Sequence, residues 1–337
     1  MAASFHLSQA GLAALFAALG DQGRRILAPV DRDGQVELRA VHTPAEVATA
    51  SLQTVLGAKQ AVFPRVERIL GYRFGGASIE LEDPEPGAVP TVLFGLRPCE
   101  ARAFRALNAV FNWDSRDRFF NARMERLAVV SVGCSAADEA CFCTSVGGSP
   151  LSREGADLFL MPHDEGWYAE VLTERGEALR ALAPEGFRPG NGVDLAARAA
   201  QVPVRFNHQA LGERLPGRFE AAEWRDQSLR CVGCGACAYV CPTCACFDLQ
   251  EEADAAQGER LRCWDSCGLR LFTLHASGHN PRELQSQRWR QRVYHKFAYF
   301  PERFGMPGCV GCGKCTRACP VDMNLGQHLA RAAEVEA

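Results

Sequence analysis

A chain of 337 residues, 47% hydrophobic and 23% charged, has the composition of a soluble globular protein of about two domains. A formal net charge of −3 gives no electrostatic case for nucleic acid or an anionic membrane as partner. The 16 cysteines far exceed ordinary usage, yet the length excludes a disulfide scaffold, which belongs to small secreted domains with little core.

Met1–Ala10 carries no positive n-region, and the apolar stretch Leu12–Leu19 runs into Gly20-Asp21-Gln22-Gly23. This predicts a short amphipathic helix rather than a signal peptide. No stretch reaches the ~18 apolar residues that span a bilayer. The cytoplasm is the expected compartment, because reducing conditions keep thiols free for metal.

The first two thirds read as α/β. Ile26–Val30, Val36–Val41, Thr91–Leu96, Leu127–Val132 and Asp157–Met161 have strand length and composition, with helical patterns at Glu100–Phe111 and Glu177–Leu182. Ala183–Asp194 is dense in glycine and proline and predicts a surface loop. A break at Leu215-Pro216-Gly217 divides an α/β domain, residues 1–216, from residues 217–337. Strand signals stop at about Arg218. Asn280-Pro281 predicts a helix start, and the helix continues over Arg282–Phe297. It carries Arg282, Arg288, Arg290, Arg292 and Lys296 with Trp289 and Tyr294 interleaved. A solvated charged face is the default reading of such a run; a dock for a partner or a counter-charge for an anionic group is the alternative.

Two cysteine runs carry the chemistry. Cys231-Val-Gly-Cys234-Gly-Ala-Cys237-Ala-Tyr-Val-Cys241-Pro242 and Cys309-Val-Gly-Cys312-Gly-Lys-Cys315-Thr-Arg-Ala-Cys319-Pro320 share the spacing C-x2-C-x2-C-x3-C-P. This is the ligand pattern of a bacterial two-cluster ferredoxin, in which the fourth cysteine of each run serves the other cluster. The expected shells for two [4Fe–4S] clusters are therefore Cys231, Cys234, Cys237 and Cys319, and Cys309, Cys312, Cys315 and Cys241. Structural zinc is the bland alternative, but zinc ribbons favour paired C-x2-C knuckles. Cys237-Ala-Tyr-Val-Cys241-Pro-Thr-Cys244 formally matches the C-x3-C-x2-C signature of radical enzymes using S-adenosylmethionine. Cys237 and Cys241 already belong to a complete run, and no repeated βα units surround them.

Eight cysteines remain. Cys99 and Cys134 each follow a predicted strand, and the helical pattern between them makes a βαβ unit with parallel, adjacent strands. Both thiols then emerge at one sheet edge, where Cys141 and Cys143 on the next loop can close a third cluster site, with zinc or simple packing of buried cysteine as the alternatives. Cys244, Cys246, Cys263 and Cys267 form the other quartet, with Cys263 and Cys267 at the i,i+4 spacing of one helix face. A fourth cluster there competes with simple packing of buried cysteine.

Gly57-Ala-Lys59-Gln-Ala-Val-Phe63-Pro64, Gly95-Leu-Arg-Pro-Cys99-Glu, Cys141-Phe-Cys143-Thr-Ser, Cys241-Pro-Thr-Cys244-Ala-Cys246-Phe-Asp248, Trp264-Asp-Ser-Cys267 and Tyr294-His-Lys-Phe-Ala-Tyr-Phe-Pro301 accompany the two runs. Together they resemble the iron–sulfur β subunit of soluble [NiFe] hydrogenases of the sulfhydrogenase type, a family that includes the corresponding iron–sulfur subunit of anaerobic sulfite reductase. The C-terminal part looks like the α-helical dicluster ferredoxin module of redox-complex subunits. The resemblance implies an electron-transfer subunit linking a flavin/NAD(P)H-binding subunit to a hydrogenase or sulfite reductase subunit. It spans nearly the whole chain and both branches of the family. No G-x-G-x-x-G follows a strand, so nucleotide binding is expected on another chain. Lys59, Arg97 and Arg102 are candidates to face the N-terminal cysteines, with surface or structural roles as their default. Two readings compete with a relay: reduction of sulfur or polysulfide at the N-terminal site, and a stand-alone ferredoxin-like carrier.

Overall fold

Thr91–Leu96 and Leu127–Val132 are buried at every position, as strands covered on both faces must be, and they lie side by side in parallel. The computed structural model describes residues 4–76, 78–190 and 193–334. In chain order its strands are β1 (Ser4–Ser8), β2 (Arg25–Arg32), β3 (Gln35–Ala40), β4 (Val66–Gly75), β5 (Ser78–Glu82) and β6 (Thr91–Leu96). There follow β7 (Leu127–Val132), β8 (Leu158–His163), β9 (Gly166–Val171), β10 (Phe187–Pro189), β11 (Phe247–Ala253) and β12 (Gln257–Trp264).

The larger sheet runs β10-β1-β9-β8-β7-β6-β2-β3, with β2, β6, β7 and β8 parallel and the flanking strands antiparallel. Strand alternation sends Val92, Phe94, Val130 and Val132 to one face, against Leu12, Leu15, Phe16 and Leu19 of the helix Gln9–Asp21. Leu93, Leu127 and Val129 face the other way, against Phe104, Leu107 and Phe111 of the helix Pro98–Phe111. The predicted loop at Ala183–Asp194 is corrected in its first half: Pro184–Gly186 turns the chain into β10, whose Phe187 is buried. Asn191 and Gly192 of that stretch, like Met1–Ala3, lie outside the described residues.

A second sheet, β11-β12-β4-β5, is antiparallel throughout and takes two strands from either side of residue 216. The segments 1–216 and 217–337 therefore interlock. The expectation that strands end at Arg218 is corrected by β11 and β12. Every residue of β11 is exposed, so Phe247-Asp-Leu-Gln-Glu-Glu-Ala carries no apolar face that would mark a strand. Arg262 on β12 pins this sheet to the body: it pairs with Glu67 on β4 and with Asp117 at the start of the helix Arg118–Glu125, and its side chain is 5% exposed. Removing one member of a buried ion group leaves uncompensated charge. Arg262→Met is expected to cost about 3–5 kcal/mol, read as a fall in the denaturant midpoint of the apo chain. A midpoint equal to wild type would contradict this.

The basic helix begins at Gln285 rather than Arg282. The Asn280 side chain accepts from the Arg282 N–H at 3.0 Å, closing a turn ahead of the helix, and also accepts from Thr273 Oγ1 at 2.8 Å and donates to Arg270 O at 2.8 Å. After Tyr294 a single π-helical turn, His295–Tyr299, carries the chain into Phe300–Phe304. Short helices Ala236–Tyr239 and Lys314–Arg317 sit inside the two cysteine runs, and Leu325–Glu334 closes the described chain. No described helix is long and apolar enough to cross a membrane.

Candidate metal centre

Cys231, Cys234, Cys237 and Cys319 line one cavity, joined at its wall by Cys315 and Cys267. The sulfurs receive donors: Gln285 Nε2 reaches Cys231 Sγ at 3.0 Å and the Met323 N–H reaches Cys319 Sγ at 3.2 Å. The cavity opens outward at Cys234, which is exposed.

The second run is deeper. Cys309, Cys312 and Cys315 are buried, and both Cys309 and Cys312 face Cys241 and Cys315. The Gly311 N–H donates to Cys309 Sγ at 3.4 Å. Gly311 and Gly313 adopt left-handed φ of 65° and 73°. A Cβ on Gly311 would stand 2.6 Å from Cys143 Cα, and one on Gly313 would stand 2.5 Å from Ala140 O. Glycine is thus required twice, for the turn and for the approach of the N-terminal loop. That loop is tied down by Phe142 N–H to Gly311 O at 2.9 Å.

The same loop completes a third set. Cys99 lies in the first turn of the helix after β6, and Cys134 lies two residues beyond β7. Cys99, Cys134, Cys141 and Cys143 line one cavity together with Gly311 and Cys312. Gln53 Nε2 donates to Cys99 Sγ at 3.3 Å and Arg317 Nη2 to Cys141 Sγ at 3.2 Å. Burial pushes the Cys134, Cys143, Cys237 and Cys309 thiols up to about 11. Bare, they keep their protons at neutral pH, so metal binding must release those protons.

Three of the last quartet come together and one does not. Cys246 lies against Cys267 and beside Cys244, and Cys244 lies against Cys241. Cys263 stands apart on β12, opposite Asp248 and Val66, with Asp248 and Glu252 as its charged neighbours. Its i,i+4 spacing to Cys267 gives no shared face, because residues 257–264 are a strand, not a helix.

Residues 230–323 match the family described as a 4Fe-4S dicluster domain. Subunit beta of sulfhydrogenase 2 from Pyrococcus furiosus is 32% identical over 237 residues, covering 68% of this chain and 70% of the relative. The chain belongs to the sulfhydrogenase β-subunit family of iron–sulfur proteins. It is an iron–sulfur electron-transfer subunit of the hydrogenase type, with at least two [4Fe–4S] clusters in its dicluster region.

Thiol-only donor sets, N–H groups on sulfur and glycine-lined approaches fit such clusters in this family member. Its cations fit them too, which corrects the default reading of the basic helix as a solvated face. Arg288, Arg292 and Lys296 are buried, whereas Arg290 lies over the Phe219 ring and bonds Phe219 O and Glu220. Arg292 Nη2 donates to Cys237 O at 2.8 Å, with Nη1 3.7 Å from Cys244 Sγ. Lys296 Nζ reaches Gly308 O at 2.7 Å, Thr243 Oγ1 at 3.0 Å and Cys241 Sγ at 3.5 Å. Burial opposes the Lys296 charge, but the Cys241 and Cys244 sulfurs outweigh it and hold the ammonium above its ordinary range.

Lys59 is also buried, but beside Cys244 rather than the N-terminal quartet; its ammonium donates to Cys244 O at 2.9 Å and sits 4.0 Å from the Trp264 ring centre. Arg97 and Arg102 do sit near the N-terminal set, Arg97 beside Cys134 and Arg102 beside Cys143. Their hydrogen bonds are structural: Arg97 holds Thr49 O at 2.7 Å and Gly133 O at 3.2 Å, and Arg102 holds Val146 O at 2.8 Å and Glu154. Sequence reasoning passed over Gln285, Gln53 and Lys314. Lys314 is buried between Thr54 and Glu100, with its ammonium 3.5 Å from Glu100 Oε1. No sequence signal distinguishes these polar residues from surface ones.

A buried ammonium favours the reduced, more negative state of a neighbouring cluster. One charge at ~7 Å in an effective dielectric of ~20 amounts to about 2 kcal/mol. Lys296→Gln is therefore expected to lower a cluster potential by roughly 60–120 mV, one to two tenfold steps for one electron. An EPR-monitored redox titration showing unchanged potentials would remove Lys296 from this role.

Proposed function

We propose that the chain relays electrons between a flavin/NAD(P)H-binding subunit and a [NiFe] hydrogenase subunit in the cytoplasm, through three [4Fe–4S] sites. Bound clusters supply one-electron chemistry at each site. The carrying observation is that the thiol sets adjoin in series. Cys99 packs with Cys312, Val310 and Ala103, and Cys315 lines the cavity of Cys231, Cys234 and Cys237. The Cys309 set thus lies between the N-terminal set and the exposed Cys234 set. We assign the shells as Cys231, Cys234, Cys237 and Cys319; Cys309, Cys312, Cys315 and Cys241; and Cys99, Cys134, Cys141 and Cys143. Among the described residues no group of three or more Cys, His, Asp or Glu is arranged to hold a single metal ion. We take residues 1–216 and 217–337 as two domains sharing the β11-β12-β4-β5 sheet.

The chain's own residues do the rest. Thiolates hold, Gln285, Gln53 and backbone N–H groups donate to sulfur, and Lys296 and Arg292 balance charge. A shell of four thiolates leaves no open iron for sulfur or sulfite, which favours relay over catalysis. The deciding experiment is anaerobic purification with bound subunits, followed by iron and acid-labile sulfide analysis and rapid-freeze EPR during turnover. About twelve iron atoms per chain, reduced and reoxidised at the turnover rate, support the relay. A chain that reduces polysulfide alone, or one with spectators only, would displace it.

A further inference from the structure

Among the described residues three carboxylates are buried, and two of them have plain structural partners. Glu67 pairs with Arg123 and Arg262, and Asp157 accepts from the Val129 N–H at 2.8 Å and from Thr173 Oγ1 at 2.6 Å. The third, Glu100, stands in the first turn of the helix Pro98–Phe111, directly after Cys99. Its charge acts on Cys99 and on Cys134. A carboxylate beside thiolates is repelled by them, and its burial costs solvation as well. Packing gives no reason for an acid at this position.

The counter-charge comes from the other side of the molecule. Lys314, between Cys312 and Cys315, brings its ammonium to 3.5 Å from Glu100 Oε1 and donates to Thr54 Oγ1 at 2.9 Å. The two side chains are 1% and 2% exposed, so solvent screens them little. The Ala58 N–H donates to the same Glu100 oxygen at 3.2 Å. The Lys314 charge acts on Cys312, the cysteine that adjoins Cys99. The ion pair therefore straddles the seam between two thiol sets, its negative end at the N-terminal set and its positive end at the Cys309 set. As a stability device such a pair is weak, because replacing both members by apolar groups is often neutral. As a dipole between two electron sites it acts with opposite sign on each. The carboxylate disfavours an added electron on its side, and the ammonium favours one on the other.

We propose that the buried Glu100–Lys314 pair sets a potential step across this seam, lowering the N-terminal site and raising the Cys309 site. Lys296 adds to the step at Cys241 and Cys309, whereas Arg97 and Arg102 act against it at Cys134 and Cys143. One electron leaves the N-terminal site as one arrives at the Cys309 site, with no proton or further reactant required. The pair biases that transfer inward. This rests on the three-site relay reading, to which it adds a direction at the N-terminal end.

The test is an EPR-monitored redox titration of the full chain after anaerobic reconstitution, with the two signals assigned from Cys99→Ala and Cys312→Ala. The double variant Glu100→Gln with Lys314→Met removes both charges and leaves neither ion unpaired. It should raise the N-terminal potential and lower that of the Cys309 site, shifting the equilibrium between them by about tenfold, or ~59 mV for one electron. Glu100→Gln alone, nearly isosteric, should raise the N-terminal potential more than the other. A merely structural pair would change the denaturant midpoint without driving two potentials in opposite directions. Potentials that stay at wild-type values, or that move together in the double variant, overturn the proposal. Should the double variant lose iron, Glu100→Gln decides by itself, and an N-terminal potential unchanged or lowered overturns the proposal equally. A wild-type chain with about eight iron atoms, none lost in Cys99→Ala, would instead overturn the three-site reading and the step with it, an outcome read from iron content rather than from potentials.

Discussion

Replacing Cys319 with alanine is expected to remove about four iron atoms from the reconstituted chain, and to remove them from the cluster of the other cysteine run. Cys319 belongs by sequence to the run that begins at Cys309, but it lines the cavity of Cys231, Cys234 and Cys237. Cys241, from the first run, instead faces Cys309 and Cys312. The π-turn after Tyr294 and the Lys296 bridge to Cys241 and Gly308 hold this crossing in place. Cys319→Ala should therefore abolish the EPR signal that Cys234→Ala abolishes, and Cys241→Ala should match Cys312→Ala. Spectra in which Cys319→Ala and Cys312→Ala lose the same signal would falsify the crossed assignment.

The two cysteine runs were legible because their chemistry is written in local spacing. Three thiols within seven residues can wrap only a nearby group, and the run reads the same whatever surrounds it. The N-terminal set was legible for a different reason. Strand ends could be placed from the buried runs Thr91–Leu96 and Leu127–Val132, and parallel neighbours bring their ends to one edge. Cys263 misled because i,i+4 spacing implies one face only on a helix, and β12 hides its strand character behind Glu259, Arg260 and Arg262. The buried cations were not legible at all. Arg292 and Lys296 look like surface residues in any pattern of polarity, and only the thiols around them make their burial tolerable. Lys59 reaches its partners across 185 residues, a distance over which spacing carries no information.

The N-terminal set carries the second large effect. Cys99→Ala, Cys134→Ala or Cys143→Ala is each expected to lower iron by about four atoms while leaving the signals of the two other clusters. The test belongs in the full chain. A fragment ending near Leu215 would lose β11 and β12 from the second sheet. It would also uncover Phe142, Val146, Phe206 and Leu211, which pack against Trp289, Val293 and Phe297. Its failure to bind iron would report that lost core rather than the ligands. Cys263→Ala supplies the matched control, since its thiol converges on no other cysteine and its loss should change no iron count. Cysteines that merely pack are replaced by alanine at a stability cost with iron unchanged. Four thiols around one cavity predict the opposite: iron lost, and electron transfer in the assembled complex slowed because the series is broken at Cys99 beside Cys312. Full iron content in all three variants would make the N-terminal cavity a packing feature and leave a two-cluster relay.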